Sequence, residues 1–137
     1  METVLVIDDV EEHRDLLLQV LEDGGFAVAA AGDGEEALRV LARIPPPTLI
    51  LLDYRMPGMD GGEFLRRLRS FPDPLRRAVP VVLMTGLPAH ERARAGLPEV
   101  DAILEKPFGL AELRRVVVRF AGPGSHRAPR PPDHPSA

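Results

Sequence analysis

The chain contains no cysteine and no tryptophan, only one tyrosine, and among its seventeen Lys and Arg residues a single lysine, Lys106. Without cysteine there can be no disulfide, no thiol nucleophile and no cysteine-ligated metal, which removes several enzyme classes. Aromatic side chains are scarce, five Phe and one Tyr, and the net charge is −4. Base stacking and a phosphate-tracking basic face are therefore poorly supplied, and direct nucleic-acid binding is not expected. No apolar run is long enough to cross a bilayer, and a strand-like segment begins at once at the N-terminus, where a signal peptide would otherwise lie. Neither membrane insertion nor secretion is expected, and the anticipated location is the cytoplasm. The lysine is the informative exception. Every other basic residue is arginine, so a position that keeps lysine calls for a compact, mobile ammonium, and phosphate handling is the obvious use for one.

What the chain does have is an apolar content of 45% over 137 residues, enough for one domain with a real core. Charge is unevenly spread: residues 1–60 carry thirteen acidic and four basic side chains, and the remainder eight and thirteen. Short β-branched or small apolar runs at 3–7, 26–31, 48–52, 79–84 and 101–104 have the character of five strands buried on both faces. Between them, helical spacing appears at 10–23, 34–44, 62–69, 88–95 and 110–120. Gly24-Gly25 ends the first of these, Asp33 can cap the second, Pro45-Pro46-Pro47 forbids its continuation, and Gly96 can terminate the fourth. In the first helix, His13, Leu16, Leu17, Val20 and Leu21 follow the helical period and leave Leu18 off the stripe. In the last, Leu110, Leu113, Val117 and Phe120 form the stripe, and Val116 and Val118 flank it. Strands alternating with helices predict an α/β fold, a doubly wound five-stranded parallel sheet with right-handed crossovers, in three flavodoxin-like layers, and the order taken for it is 2-1-3-4-5. The domain is expected to span 1–121. The rest, 122–137, has five prolines and no large apolar residue, the composition of a disordered tail with no output domain after it.

Polar residues gather where the strands stop. Asp8-Asp9 close the first strand, Asp53 closes the third, Thr85 follows the fourth and Lys106 follows the fifth. In such a sheet the ligand crevice lies outside the carboxyl ends of the strands, at the point where the strand order reverses. All five residues then share one crevice. Three carboxylates packed together raise one another's pKa unless a cation joins them, and hard oxygen ligands in a small site favour Mg²⁺. One carboxylate can serve as a nucleophile toward phosphorus, with Mg²⁺ and an ammonium neutralising the phosphoryl oxygens. Asp53 is the best placed, between the aspartate pair on one side and Thr85 and Lys106 on the other.

Four ordered motifs carry a resemblance to a known family: Val4-Leu5-Val6-Ile7-Asp8-Asp9, then Leu51-Leu52-Asp53-Tyr54-Arg55-Met56-Pro57-Gly58-Met59-Asp60-Gly61, then Met84-Thr85-Gly86, then Lys106-Pro107-Phe108. Over residues 1 to about 121 the chain resembles the receiver domain of two-component response regulators, here of the stand-alone type. The resemblance implies a signalling switch that catalyses its own phosphorylation and dephosphorylation, taking a phosphoryl group onto Asp53 from a histidine kinase or a histidine phosphotransfer protein. It also implies Mg²⁺ on Asp9, Asp53 and the backbone carbonyl of Arg55, with Asp8 acting through water. Lys106 would pair with the phosphoryl group, Thr85 would donate its hydroxyl to it, and the Lys106-Pro107 peptide would be cis. A downstream protein partner of unknown identity would read the altered surface.

The chain departs from this pattern at Ile103, where the family usually has an aromatic that changes rotamer as the threonine moves. Output is therefore expected from movement of the segment 86–100, whose helix is short and bounded by proline, or from another face. Arg55 and Leu87, each two residues past a central site residue, should border the phosphoryl group and govern water access. His13 and His90 are expected on helix surfaces. Docking of the phosphodonor is expected on the first helix, with Leu18 in contact, and on the loop around Pro107. Two other classes fit less well. A haloacid-dehalogenase-type aspartyl-phosphate phosphatase needs a second acid two residues after its nucleophile, where this chain has Arg55. A flavodoxin-like cofactor binder needs a phosphate loop rich in Ser, Thr and Gly after its first strand, where Asp8-Asp9-Val10-Glu11-Glu12 would repel phosphate.

Overall fold

A computed structural model describes residues 2–122, so the expected tail beyond Gly122 lies outside the described residues. Five parallel strands, β1 Thr3–Ile7, β2 Ala27–Ala31, β3 Leu49–Asp53, β4 Val81–Thr85 and β5 Ala102–Glu105, form one sheet in the order β2-β1-β3-β4-β5. The crossovers are made by α1 Glu11–Asp23, α2 Gly34–Arg43, α3 Gly61–Leu68, α4 Pro74–Arg77 and α5 Ala89–Arg94, and α6 Leu110–Ala121 closes the domain. The doubly wound three-layer class expected from the alternation is the one observed.

Period-two alternation divides the core into two layers. Leu5, Ile7, Ile50, Leu52, Val81 and Leu83 point to the side covered by α2 and α3, where they meet Ala37, Leu41, Phe64, Leu65 and Leu68. Val4, Val6, Leu49, Leu51, Val82 and Met84 point to the opposite side, covered by Leu17 and Leu21 of α1 and by Leu113, Val117 and Phe120 of α6. Each such aliphatic side chain contributes about 1.5–3 kcal/mol by leaving water. Burial on both faces holds for the three central strands but not for the edges: β2 is largely half-buried, and in β5 only Leu104 is buried. An edge strand has one neighbour and incomplete helix cover, and the alanines of β2 suit that position.

The inward face of α1 keeps Leu17, Val20 and Leu21 of the expected stripe but exchanges Leu16 for Leu18. Leu17 and Leu21 are buried and Leu18 is half-buried, while Leu16 is 59% exposed. Three consecutive leucines let Leu17 be flanked on the inward face by either neighbour, and the sheet selects Leu18. In α6, Leu113, Val117, Phe120 and Ala121 face inward, whereas Leu110 and Val118 are exposed.

The one-turn helix α4 was not anticipated. The Asp73 carboxylate accepts the Leu75 N–H at 3.0 Å and Pro74 occupies the first turn, which together favour a helix start. The role of α4 is to carry Arg76, whose guanidinium donates to Leu41 O at 2.7 Å and to Ile44 O, and also pairs with Asp73. These carbonyls end α2 and have no partner within the helix, because Pro45-Pro46-Pro47 stops it. Arg69 does similar work below the sheet. Buried, it donates to Arg77 O at 2.9 Å and Val79 O at 3.0 Å and lies 3.8 Å from Asp101, which itself accepts the Val81 N–H at 2.8 Å. Arginine supplies these multi-acceptor contacts through its planar fork, which lysine lacks. At the turns, Gly25 (φ 91°) and Gly96 (φ 64°) take the left-handed conformation that ends α1 and α5.

Candidate functional site

Parallel register sets the site. Ile7 lies opposite Ala31 and Leu52, so the chain leaving β1 at Asp8-Asp9 emerges beside Asp53 at the end of β3. Asp53 lies opposite Met84, and Thr85 opposite Glu105, which carries the row on through β4 to Lys106 after β5. The backbone N–H of Lys106 donates to Thr85 O at 2.8 Å and fixes the last rung. The Lys106-Pro107 peptide is cis, as the motif implied.

Carboxylate oxygens of Asp8, Asp9 and Asp53 lie within 4.8 Å of one another. Asp8 and Asp53 are buried, at 1% and 4% exposed, and Asp9 opens to solvent. The Asp8 carboxylate accepts the Val10 N–H at 2.9 Å, and its backbone carbonyl accepts from the Arg14 guanidinium at 2.8 Å. His13, on the exposed side of α1, has Nδ1 3.9 Å from the other Asp8 oxygen. Across the crevice, Lys106 Nζ donates to Asp53 Oδ1 at 3.0 Å.

Burial pushes the Asp53 carboxyl above the usual aspartate range. The Lys106 hydrogen bond and charge pull it back, and the charges of Asp8 and Asp9 push it up again. One ammonium thus leaves the three-carboxylate group short of positive charge, and a small divalent cation fits that deficit and that set of hard oxygen donors. Thr85 is 2% exposed, and its hydroxyl oxygen accepts the Leu87 N–H at 3.0 Å, so the hydroxyl hydrogen is available to another acceptor. Arg55 is exposed. Together with Asp9, Tyr54, Pro57 and Asp60 it borders an open cavity of about 380 Å³ beside the cluster. Such an arrangement can hold a cation and a tetrahedral oxyanion against one buried carboxylate.

The structure thus brings together Asp8, Asp9, Asp53 and Lys106, puts Thr85 on the same sheet edge, and leaves Arg55 at the rim. Two arginines next to the site escaped sequence reasoning. Arg14 holds the Asp8 carbonyl, and Arg92 of α5 donates to Leu87 O at 2.6 Å. Both act on backbone carbonyls, which leave no motif. The faint signal for Arg14 was its position one helical turn after Val10, on the side of α1 that faces the acidic loop.

Residues 4–118 match the response regulator receiver domain model. The chain belongs to the receiver domain family of two-component signalling. Among receiver proteins, response regulator MprA of Mycobacterium leprae is 40% identical over 111 residues, 80% of this chain and 46% of that protein. The chain spans about half the length of the curated relatives it matches. Among solved receivers, that of a signal transduction histidine kinase from Syntrophus aciditrophicus superposes with a TM-score of 0.81 at 28% identity, covering 96% of this chain and 98% of that one. The receiver of sensor histidine kinase PA1611 from Pseudomonas aeruginosa, described with a magnesium ion coordinated in its active-site cleft, gives a TM-score of 0.74 at 28% identity over 87% of this chain and 96% of that one. The haloacid-dehalogenase alternative gains no support from the family or the fold. Among the described residues, no helix of this receiver is long and apolar enough to cross a membrane.

Proposed function

We propose that this receiver is a phosphoacceptor switch that accepts a phosphoryl group on Asp53 from the phosphohistidine of a histidine kinase or a histidine phosphotransfer protein in the cytoplasm. The observation that carries this reading is the buried Asp53 carboxylate, 3.0 Å from the only lysine in the chain and grouped with two further carboxylates. Asp53 attacks phosphorus in line, a P–O bond forms, the P–N bond breaks, and the imidazole leaves with the bonding electron pair. Lys106 shifts from Asp53 toward the transferred oxygens, and the Thr85 hydroxyl donates to one of them. Mg²⁺ would be held by Asp9, Asp53 and the Arg55 carbonyl, with Asp8 reaching it through water, and supplies neutralising charge for the phosphoryl oxygens. Arg14 keeps Asp8 in place through its carbonyl. Arg55 and Leu87 flank the group and regulate the approach of the water that hydrolyses it.

An apolar groove of about 430 Å³ opens next to Lys106 between α1 and the loop after β5, lined by Leu16, Leu17, Pro107 and Phe108. It suits the helix that would present the phosphohistidine, with Leu16 in the contact role expected of Leu18. Phosphorylation adds close to two negative charges and alters the surface offered to a downstream protein. Incubation with Mg²⁺ and acetyl phosphate, followed by intact-mass measurement, tests the site: wild type gains one phosphoryl mass and Asp53→Asn gains none. An adduct that persists in Asp53→Asn refutes the assignment.

A further inference from the structure

Helix α5 is attached to the domain in an unusual way. None of its residues is buried, and Arg92 is the one residue from Ala89 to Arg94 that is not exposed. The Arg92 side chain, 16% exposed, folds under the helix to two partners. Its Nη1 donates to Leu87 O at 2.6 Å and lies 3.7 Å from Glu105 Oε2, at the end of β5 and next to Lys106 in the chain. On the other side of the same peptide segment, the Leu87 N–H donates to Thr85 Oγ1 at 3.0 Å.

These contacts form a continuous chain from the phosphoryl site to the outer surface. A threonine hydroxyl can accept the Leu87 N–H and still donate its hydrogen. Thr85 can therefore turn to a phosphoryl oxygen without releasing Leu87, so residues 85–87 move together and Leu87 O moves with them. Arg92 follows that carbonyl, because a charge-assisted hydrogen bond is stronger than a long ion pair to a carboxylate that is 66% exposed. Ile103, the β5 residue facing outward near this point, has no polar atom with which to share the task.

Resting on the phosphoacceptor reading, we propose that Arg92 is a positioning residue that couples Thr85, and so the occupancy of the Asp53 site, to the surface formed by α5 and the end of β5. Movement of Leu87 O redistributes the Arg92 guanidinium between Leu87 and Glu105 and reorients α5.

Hydrogen exchange with and without Mg²⁺ and beryllofluoride, a phosphoryl mimic, tests this on wild type, Arg92→Met, Arg92→Lys and Glu105→Gln. Phosphoryl uptake from acetyl phosphate is followed in parallel by intact mass. Wild type should respond at 85–87, across 89–94 and at 102–105, by about tenfold or more in exchange rate, the size set by one charged hydrogen bond. Arg92→Met should take up phosphate as wild type does and respond at 85–87, yet lose the response at 89–94 and 102–105. Arg92→Lys, which keeps one donor, should recover part of it, and Glu105→Gln should lose only the response at 102–105. Those last two arms separate coupling from mere loss of structure. A full wild-type response in Arg92→Met overturns the proposal, as does a wild-type response confined to 85–87. Failure of wild type to take up phosphate at all overturns the phosphoacceptor reading as well, and the mass arm reports that outcome separately.

Discussion

Lys106 is the only cation within hydrogen-bond distance of the Asp53 carboxylate among the described residues, at 3.0 Å, and its chemistry explains why arginine is absent there. A point ammonium can slide from a carboxylate to a phosphoryl oxygen within one small crevice, whereas a planar fork needs two acceptors in its own plane. Lys106→Arg should slow phosphorylation by acetyl phosphate by about 10²-fold, the order for losing one preorganised donor, with an unchanged circular dichroism spectrum. Asp53 adds a pH dependence whose sign follows from burial. Its folded pKa lies above the usual aspartate range, so the folded state holds this proton more tightly than the unfolded chain does. The corresponding stability is fully present below the usual aspartate pKa and is lost as pH rises through the raised value. In metal-free protein, Asp53→Asn should therefore melt higher than wild type at neutral pH, and the difference should shrink to nothing in acid. A lower melting temperature for Asp53→Asn at neutral pH contradicts this. The strand-end positions of Asp8, Asp9, Asp53, Thr85 and Lys106 were legible in the sequence because each closes or follows a recognisable strand. Arg14 and Arg92 were not, since their partners are backbone carbonyls defined only by the tertiary fold.

Among the elements, α5 stands apart from the other long crossovers. α2 and α3 seat Leu41, Phe64, Leu65 and Leu68 fully under the sheet, but α5 has no buried residue and is bounded by Pro88 and by Gly96-Leu97-Pro98. Few buried contacts mean a low local opening free energy. Amides of residues 86–100 should exchange faster than those of α2 and α3 in unphosphorylated protein; equal protection would refute that contrast. The same comparison shows what elements the sequence could and could not reveal. Strands were evident as short apolar runs, four of which end at or just before a carboxylate or Thr, and their alternation with helices gave the doubly wound class. In α1, Leu17 and Leu21 were legible but Leu18 was not, because Leu16-Leu17-Leu18 suits either neighbour of Leu17 and only the position of the sheet decides between them. α4 was missed because four residues carry no periodicity, although Asp73-Pro74 already had the chemistry of a helix start.

At the scale of the molecule, two apolar layers hold a rigid sheet whose carboxyl edge concentrates negative charge, with a single ammonium opposite it. That edge is stabilised when a cation arrives. Mg²⁺ at ten times its Kd should raise stability by about 1.4 kcal/mol through mass action, seen as a higher melting temperature. Asp9→Asn, an exposed position, should remove most of that gain, whereas an equal gain in the variant would exclude Asp9 as a ligand. On the proposed reading a single carboxylate, Asp53, becomes the acyl phosphate. Reduction of the phosphorylated protein with tritiated borohydride converts an acyl phosphate to a labelled alcohol at the residue that carried it, and peptide sequencing then locates the label. The label is predicted at position 53 alone; label at position 8 or 9, or phosphate recovered on His13 or His90 with none at 53, would contradict the account.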